Sequence, residues 1–392
     1  MSVIIVGAGI AGTTLALSLY YLTQGKQDIT LVEAISPDRL LSPSDDGRTI
    51  ALAYGICNRI NILNIWSLLE PIATTITRVY VGERGSGGFF SLNSTDHGIP
   101  FLGKVFELNQ AKKKLFFHLQ QTKNISLYCP NKITCIKKYT DYLLITLDNG
   151  KQIKGDLLVA ADGTSSHIAD LYGIKWKKIV YEQTAVVTKI STQLLHYGQA
   201  FELFTKQGSL ALLPISDGFS SLIWCTSRTE IKTISNWNDK EFITYLQNIF
   251  GWRLGKIQTI GKRYFYPIES KTRVNTIAPR LVLVSNAAQT LHPIAGQGLN
   301  LGMRDILILA DTLINSWKEG RQAGDYMTLQ KYQNKRIIDR QTTIFLTNSL
   351  VRIFSNPYLT LFIGRTIGLI MIDNIRFLRN ILVQCVIKSL DK

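Results

Sequence analysis

Nowhere does this 392-residue chain run for about 18 uninterrupted apolar residues, so no membrane-spanning helix is expected. Cysteine is scarce. Cys57, Cys129, Cys135, Cys225 and Cys385 show neither metal-ligand spacing nor a paired framework, which points to reduced thiols, a cytoplasmic protein and no metal site. The N-terminal segment is apolar but broken by glycines and lacks a basic leader, so a secretory signal is not expected. Internal repeats and low-complexity tracts are also missing. Acidic residues are few, 28 against 44 Lys and Arg, for a formal net charge of +16. The basic residues are scattered and accompany no nucleic-acid-binding motif, so nucleic acid is not an expected partner; an anionic membrane surface suits the charge better. What remains is a folded protein, 46% hydrophobic and 18% charged, long enough for a large core and two packed regions.

The segment "SVIIVGAGIAGTTLALSLYYL" reads as a buried strand, a Gly7-x-Gly9-x-x-Gly12 turn and an apolar helix. A second strand, "DITLVEA", ends in Glu33 about 20 residues beyond Gly12. This is the dinucleotide fingerprint in its proper setting: Gly7 permits the tight turn, Gly9 admits a pyrophosphate at the helix N-terminus, and Gly12 lets helix and strand pack. Glu33 is placed to accept hydrogen bonds from an adenosine ribose. The fingerprint alone leaves NAD and FAD both open.

Farther on, "YLLITLDNGKQIKGDLLVAADGTSSH" reads as a hairpin turning at Asn149-Gly150, its return strand ending at Asp162-Gly163. A carboxylate there lies at the sheet's ligand-binding edge, or else Asp162 or Ser166 caps the helix from Ile168 onward. A third stretch, "VLVSNAAQTLHPIAGQGLNLGMRD", takes a strand through a polar loop to a helix that starts at Gly296-Gln297-Gly298. Glycines at a helix start imply that another group comes close to the backbone.

In this order, and with "DGRTIALAYG" and "GRTIGLIMID", the three motifs resemble the group A flavoprotein aromatic hydroxylases, specifically their ubiquinone-biosynthesis branch, over nearly the whole chain. Within the branch the likeness is greatest to hydroxylases of 2-octaprenyl-6-methoxyphenol, which form 2-octaprenyl-6-methoxy-1,4-benzoquinol through a flavin C4a-hydroperoxide. The resemblance implies an α/β fold: a Rossmann-like FAD-binding domain, an inserted, mostly antiparallel β-sheet substrate domain, and C-terminal helices. It implies FAD as cofactor, NAD(P)H as a transient reductant that needs no second GxGxxG, and dioxygen and a polyprenylated phenol as substrates. It places Arg48 near the flavin and its phosphates, Asp162 and Gly163 at FAD, Asn286 at the ribityl chain, and the amides of Gly298, Leu299 and Asn300 at the isoalloxazine. Pro293, Gly296, Gln297 and Gly298 are the flavin-loop candidates for catalysis, and no phenol-deprotonating residue is indicated. His292 reads as structural or solvent-facing at least as well as catalytic. The chain departs from the family at Ser285-Asn286, where Gly-Asp is usual; Asn286 keeps a ribityl hydrogen bond without the charge. A sister hydroxylase acting at another ring position, a flavin reductase or oxidase, and a non-catalytic FAD-binding subunit are the alternative readings.

Residues 1–75, 100–170 and 275–345 are expected to form the FAD-binding domain, and 76–99 with 171–274 the substrate sheet. Residues 346–392 change texture: Arg352, Arg365, Arg376 and Arg379 are interleaved with large apolar residues. Such helices suit a membrane surface, a partner in a ubiquinone-biosynthesis complex, or simple packing on the domain. The resemblance favours the inner face of the cytoplasmic membrane, because a polyprenylated substrate must be drawn from the bilayer.

Overall fold

The computed structural model describes residues 2–42, 46–354, 358–375 and 377. Strands Ser2–Val6, Asp28–Val32, Ile125–Tyr128, Leu157–Ala160 and Leu281–Leu283 form a parallel sheet, edged by antiparallel Ile277–Ala278. Their near-continuous Ile, Leu and Val content is what burial on both faces demands. Ser2–Val6 stands between Asp28–Val32 and Leu157–Ala160. The chain therefore leaves it to one side first and reaches the other later, which opens a crevice at its carboxyl end. Helices Ile10–Thr23 and Gln297–Lys318 pack over this sheet through Leu15, Leu19, Met303 and Ile306.

The expected hairpin forms between Leu143–Leu147 and Gln152–Gly155. Its return strand, however, stops at Gly155, and the run toward Asp162 is a separate strand, Leu157–Ala160, in the parallel sheet. Gly155 marks the break, since a side-chain carbon there would lie 2.5 Å from Ile4 Cδ1.

A second sheet of nine strands is antiparallel apart from the pairing of Gln199–Thr205 with Arg78–Glu83. Its strand Trp176–Thr192 runs for 17 residues, with a register shift between Val180 and Thr184. One face of the sheet packs Phe201 and Trp224 against Phe242, Leu246 and Phe250 of helix Asp239–Phe250. The capping box of Asn238 and Glu241 starts that helix. The other face looks toward the carboxyl edge of the parallel sheet.

Helix Tyr326–Phe354 is continuous, so the change of texture at 346 falls inside one helix rather than at a boundary. Leu359–Asn374 then lies on the edge strand Phe89–Asn93, with Leu369 against Phe90 and Leu92. Among the described residues no helix is long and apolar enough to cross a membrane. The architecture is the expected α/β one, with a second, mostly antiparallel sheet and C-terminal helices.

Candidate active site

The first two motifs meet at the carboxyl end of Ser2–Val6. The Gly7 amide donates to Val32 O at 2.8 Å, and its φ of +102° suits glycine. A side-chain carbon on Gly7 would stand 2.6 Å from Ala161 O and 2.9 Å from Asp162 Cα. One on Gly12 would run into the Gly7 carbonyl, whereas one on Gly9 would meet nothing within 4 Å. Gly9 is the N-cap of its helix and has no side-chain cap, so the amides there face open space. Glu33 is buried beside them and accepts from the Ala8 amide at 2.6 Å and the Ile35 amide at 2.7 Å. A carboxylate has about four acceptor positions, so Glu33 holds the turn with two to spare.

Both readings of the Asp-Gly element hold locally. Ser166 caps helix His167–Leu171 by accepting from Ala169 at 3.1 Å, and Asp162 Oδ2 accepts from Ile168 at 3.2 Å. Asp162 Oδ1 is nevertheless buried without a partner, and burial pushes this carboxyl up from its ordinary value. Gly163 follows with φ +83°.

The third motif joins them because Val284 N donates to Ala160 O at 3.0 Å. Ser285 is left-handed, at φ +53°, and its amide donates to Asp305 Oδ2 at 3.1 Å. The same oxygen accepts from Gln289 Nε2 at 2.6 Å, and Arg336 Nε donates to Asp305 Oδ1 at 2.7 Å. Asp305 thus positions the loop that presents Asn286, whose side chain is exposed with no hydrogen-bond partner among the described residues. Downstream, Ala295 and Gly296 are both left-handed, and side-chain carbons at Gly296 and Gly298 would meet nothing within 4 Å. The Leu299 side chain packs on the core. Asn300, expected to offer its backbone amide, uses its side chain within the protein: it accepts from Ala53 N at 2.8 Å and donates to Ala51 O and Gly296 O at 2.9 Å. It pins the helix start to strand Thr49–Ala53, which leaves only its backbone for a ligand. Arg48 is likewise engaged, donating through Nε to Asp46 at 2.8 Å. Lys112, which the sequence did not flag, faces the same quarter; burial and Arg48 hold it below the ordinary lysine value, against the pull of Asp46 and Glu33.

Beyond the 293–297 loop lies an apolar cavity of 310 Å³ against the nine-stranded sheet. Ile76, Val79, Phe90, Phe204, Leu350 and Leu369 wall it, Pro293, Ala295, Gly296 and Gln297 form one end, and Glu202 projects among them. A wider hollow of 540 Å³ around Arg280 and Gln322 sits at the amino ends of the parallel strands and touches none of the motifs. Glu202 is another residue missed from sequence. The alternation in "AFELF" sets it beside Ala200 and Phe204, on a face whose burial no local pattern announced. His292 is buried; Ile294 N donates to its Nδ1, so Nε2 carries the hydrogen to Gln183 Oε1 at 2.9 Å. Burial pushes it down to about 4, so it is a neutral structural histidine.

An FAD-dependent monooxygenase fold is what these elements compose. Its resemblance extends to p-nitrophenol 4-monooxygenase PnpA from Pseudomonas putida, with a TM-score of 0.79 over 98% of both chains at 15% identity. Residues 139–341 match the family described as FAD binding domain, and the chain belongs to that family. Ubiquinone hydroxylase UbiL from Rhodospirillum rubrum is 29% identical over 94% of this chain and 85% of its own length. The 3-demethoxyubiquinol 3-hydroxylase of Escherichia coli is 27% identical over 86% of this chain and 85% of its own. FAD is the cofactor of the family, and NAD(P)H its usual reductant. The crevice fits FAD: glycines 9, 296 and 298 leave space against backbone amides, and Asp162 Oδ1 is an acceptor in need of a donor.

Proposed function

We propose that this FAD-dependent monooxygenase hydroxylates a polyprenylated phenol in ubiquinone biosynthesis, with 2-octaprenyl-6-methoxyphenol as substrate and NAD(P)H as reductant. The observation that carries the reading is the 310 Å³ apolar cavity that ends on the 293–297 loop, where a greasy substituted ring can lie next to the flavin. The names of the two ubiquinone-pathway relatives support the substrate class.

In this reading Gly9 admits the pyrophosphate at a turn that Gly7 and Gly12 allow to close, Glu33 receives the ribose, and Arg48 the phosphates once it turns from Asp46. Asp162 and Gly163 help to hold FAD, Asn286 holds the ribityl chain, and the amides of Gly298, Leu299 and Asn300 face the isoalloxazine. Bound FAD supplies the transfer of one oxygen atom from dioxygen. The chain's own residues do the rest: the helix start at Gly296–Gly298 stabilises negative charge, and the cavity walls exclude water and hold the ring.

Helix Leu359–Asn374 carries an exposed apolar stripe, Ile363, Ile367, Ile370 and Met371, beside cavity-lining Leu369 and Ile372. With the +16 net charge, this stripe supports contact with an anionic membrane surface from which the prenyl tail enters.

The test is incorporation of label from dioxygen into a short-chain prenylphenol by the purified protein with FAD and NAD(P)H. Hydroxylated, labelled product is expected; NAD(P)H consumption yielding only hydrogen peroxide would show an oxidase instead. A strain lacking the gene should accumulate the prenylated methoxyphenol, and accumulation of a different intermediate moves the chemistry to another ring position.

A further inference from the structure

We propose that Glu202 is the base that accepts the proton of the substrate's phenolic hydroxyl, an inference that rests on the phenol reading above.

Among the described residues lining the cavity, Glu202 is the single ionisable one; the rest are aliphatic, aromatic, glycine, proline or amide. Its strand is fixed on both sides, Glu202 standing opposite Val81 in one neighbour and Ala211 in the other. The Ser209 hydroxyl and the backbone at Ala295, immediately before Gly296, lie beside the carboxyl and favour its charged form. That contact places the carboxyl where the apolar cavity meets the flavin loop. Oε1 is shielded from solvent and has no hydrogen-bond partner among the described residues. A buried acceptor left empty is costly unless something fills it, and a phenolic hydroxyl is the donor that the cavity's apolar shape admits.

The neighbours leave the proton to Glu202. Cys225 lies beside it, and burial, together with Glu202 itself, drives that thiol far above its usual value. His292, in the adjoining crevice that Ser209 also lines, is neutral. Burial raises Glu202 to about 7, against the pull of Ser209 and Ala295. Against a phenol near 10, transfer is then unfavourable by about a thousandfold rather than by several hundred-thousandfold. In the step the phenolic O–H bond breaks, its electron pair stays on the ring oxygen, and the proton bonds to the carboxylate; nothing is oxidised or reduced. The phenolate so formed is the electron-rich ring that hydroxylation requires. Water takes the proton from the carboxylic acid when product leaves.

Single-turnover hydroxylation of a short-chain prenylphenol by the FAD-loaded protein, followed across pH in wild type, Glu202→Gln and Glu202→Asp, tests this. Wild type should lose hydroxylation as pH falls through about 7. Glu202→Gln should lose that acid limb, fall about a hundredfold at neutral pH with peroxide in place of product, and recover as pH rises and the phenol ionises unaided. Glu202→Asp should keep the limb at reduced rate, and a ring-fluorinated phenol that ionises at lower pH should restore Glu202→Gln. A Glu202→Gln profile parallel to wild type, whether at full rate or reduced by a pH-independent factor, overturns the assignment and makes Glu202 structural. Wild type that hydroxylates no prenylphenol at any pH overturns the phenol reading and this proposal with it.

Discussion

A side-chain carbon on Gly302 would stand 2.8 Å from Cβ of Ser285 and nearer still to its hydroxyl. The two residues are matched across the third motif. Ser285 fills a position where the resembling family has glycine, adopts φ +53°, and leans on the helix where residue 302 has no side chain. Gly302→Ala should therefore destabilise by about 1–3 kcal/mol through overpacking. Ser285→Gly removes a left-handed strain of about 1–2 kcal/mol and adds unfolded-state freedom of about 0.5–1, for a small net gain. Combined, the changes should be far less harmful than their sum, because the clash goes with the serine. Strict additivity in urea unfolding would sink this pairing.

Gly9 and Gly298 differ from Gly302 in having no protein atom within 4 Å of an added carbon. Valine at either site should leave the fold and its melting temperature nearly intact. Gly9→Val should abolish FAD binding, because the branched side chain occupies the pyrophosphate's approach. Gly298→Val should lose FAD more mildly and show impaired flavin reduction. Flavin absorbance per folded chain separates the cases; stoichiometric FAD in folded Gly9→Val contradicts the pyrophosphate assignment.

The parallel sheet and its three motifs were legible because each rests on local signals: a buried strand, glycines at fixed offsets, a helix after. The break at Gly155 was not, because only contact with Ile4, far away in sequence, forbids a side chain there. For the same reason the sequence did not show that the Asn300 side chain bonds Ala51 and Ala53, some 250 residues away, beside the backbone role expected of it. Glu202 and Asp305 were missed altogether. A lone charge in a strand or helix reads as solvated until tertiary packing closes over it.

Two buried groups should give stability opposite pH slopes over one window. His292 is held at about 4, so below its unfolded value near 6.5 the unfolded chain binds the extra proton and stability falls as pH falls. Glu202 is raised to about 7, so its contribution is complete below the unfolded value near 4.5 and is lost as pH rises through 7. Between pH 4.5 and 6.5 the slopes, each up to about 1.4 kcal/mol per pH unit, nearly cancel. Glu202→Gln should unmask stability that rises with pH, and His292→Asn stability that falls with pH. Identical slopes in both variants and wild type, by urea unfolding, would refute the pair.

The C-terminal helix separates two roles that its sequence mixes. Arg365, one of the arginines that the sequence left to a membrane, a partner or simple packing, points inward and donates through Nε to buried Glu83 at 2.9 Å. Removing one partner of such a pair costs about 3–5 kcal/mol, so charge reversal there would report on folding rather than membrane contact. Arg376 and Arg379 lie outside the described residues. The opposite face offers a cleaner test, because Ile363 and Ile367 are about half exposed, at 49% and 51%. Each such side chain inserted into a bilayer contributes about 1–3 kcal/mol. Ile363→Glu with Ile367→Glu should therefore weaken binding to phosphatidylglycerol vesicles by well over tenfold. Turnover of a short-chain, water-soluble prenylphenol should persist, since neither residue lines the cavity. Unchanged vesicle binding by the folded double variant would mean that the stripe is not the membrane contact, and that this helix serves only to cover the end of the cavity with Leu369 and Ile372.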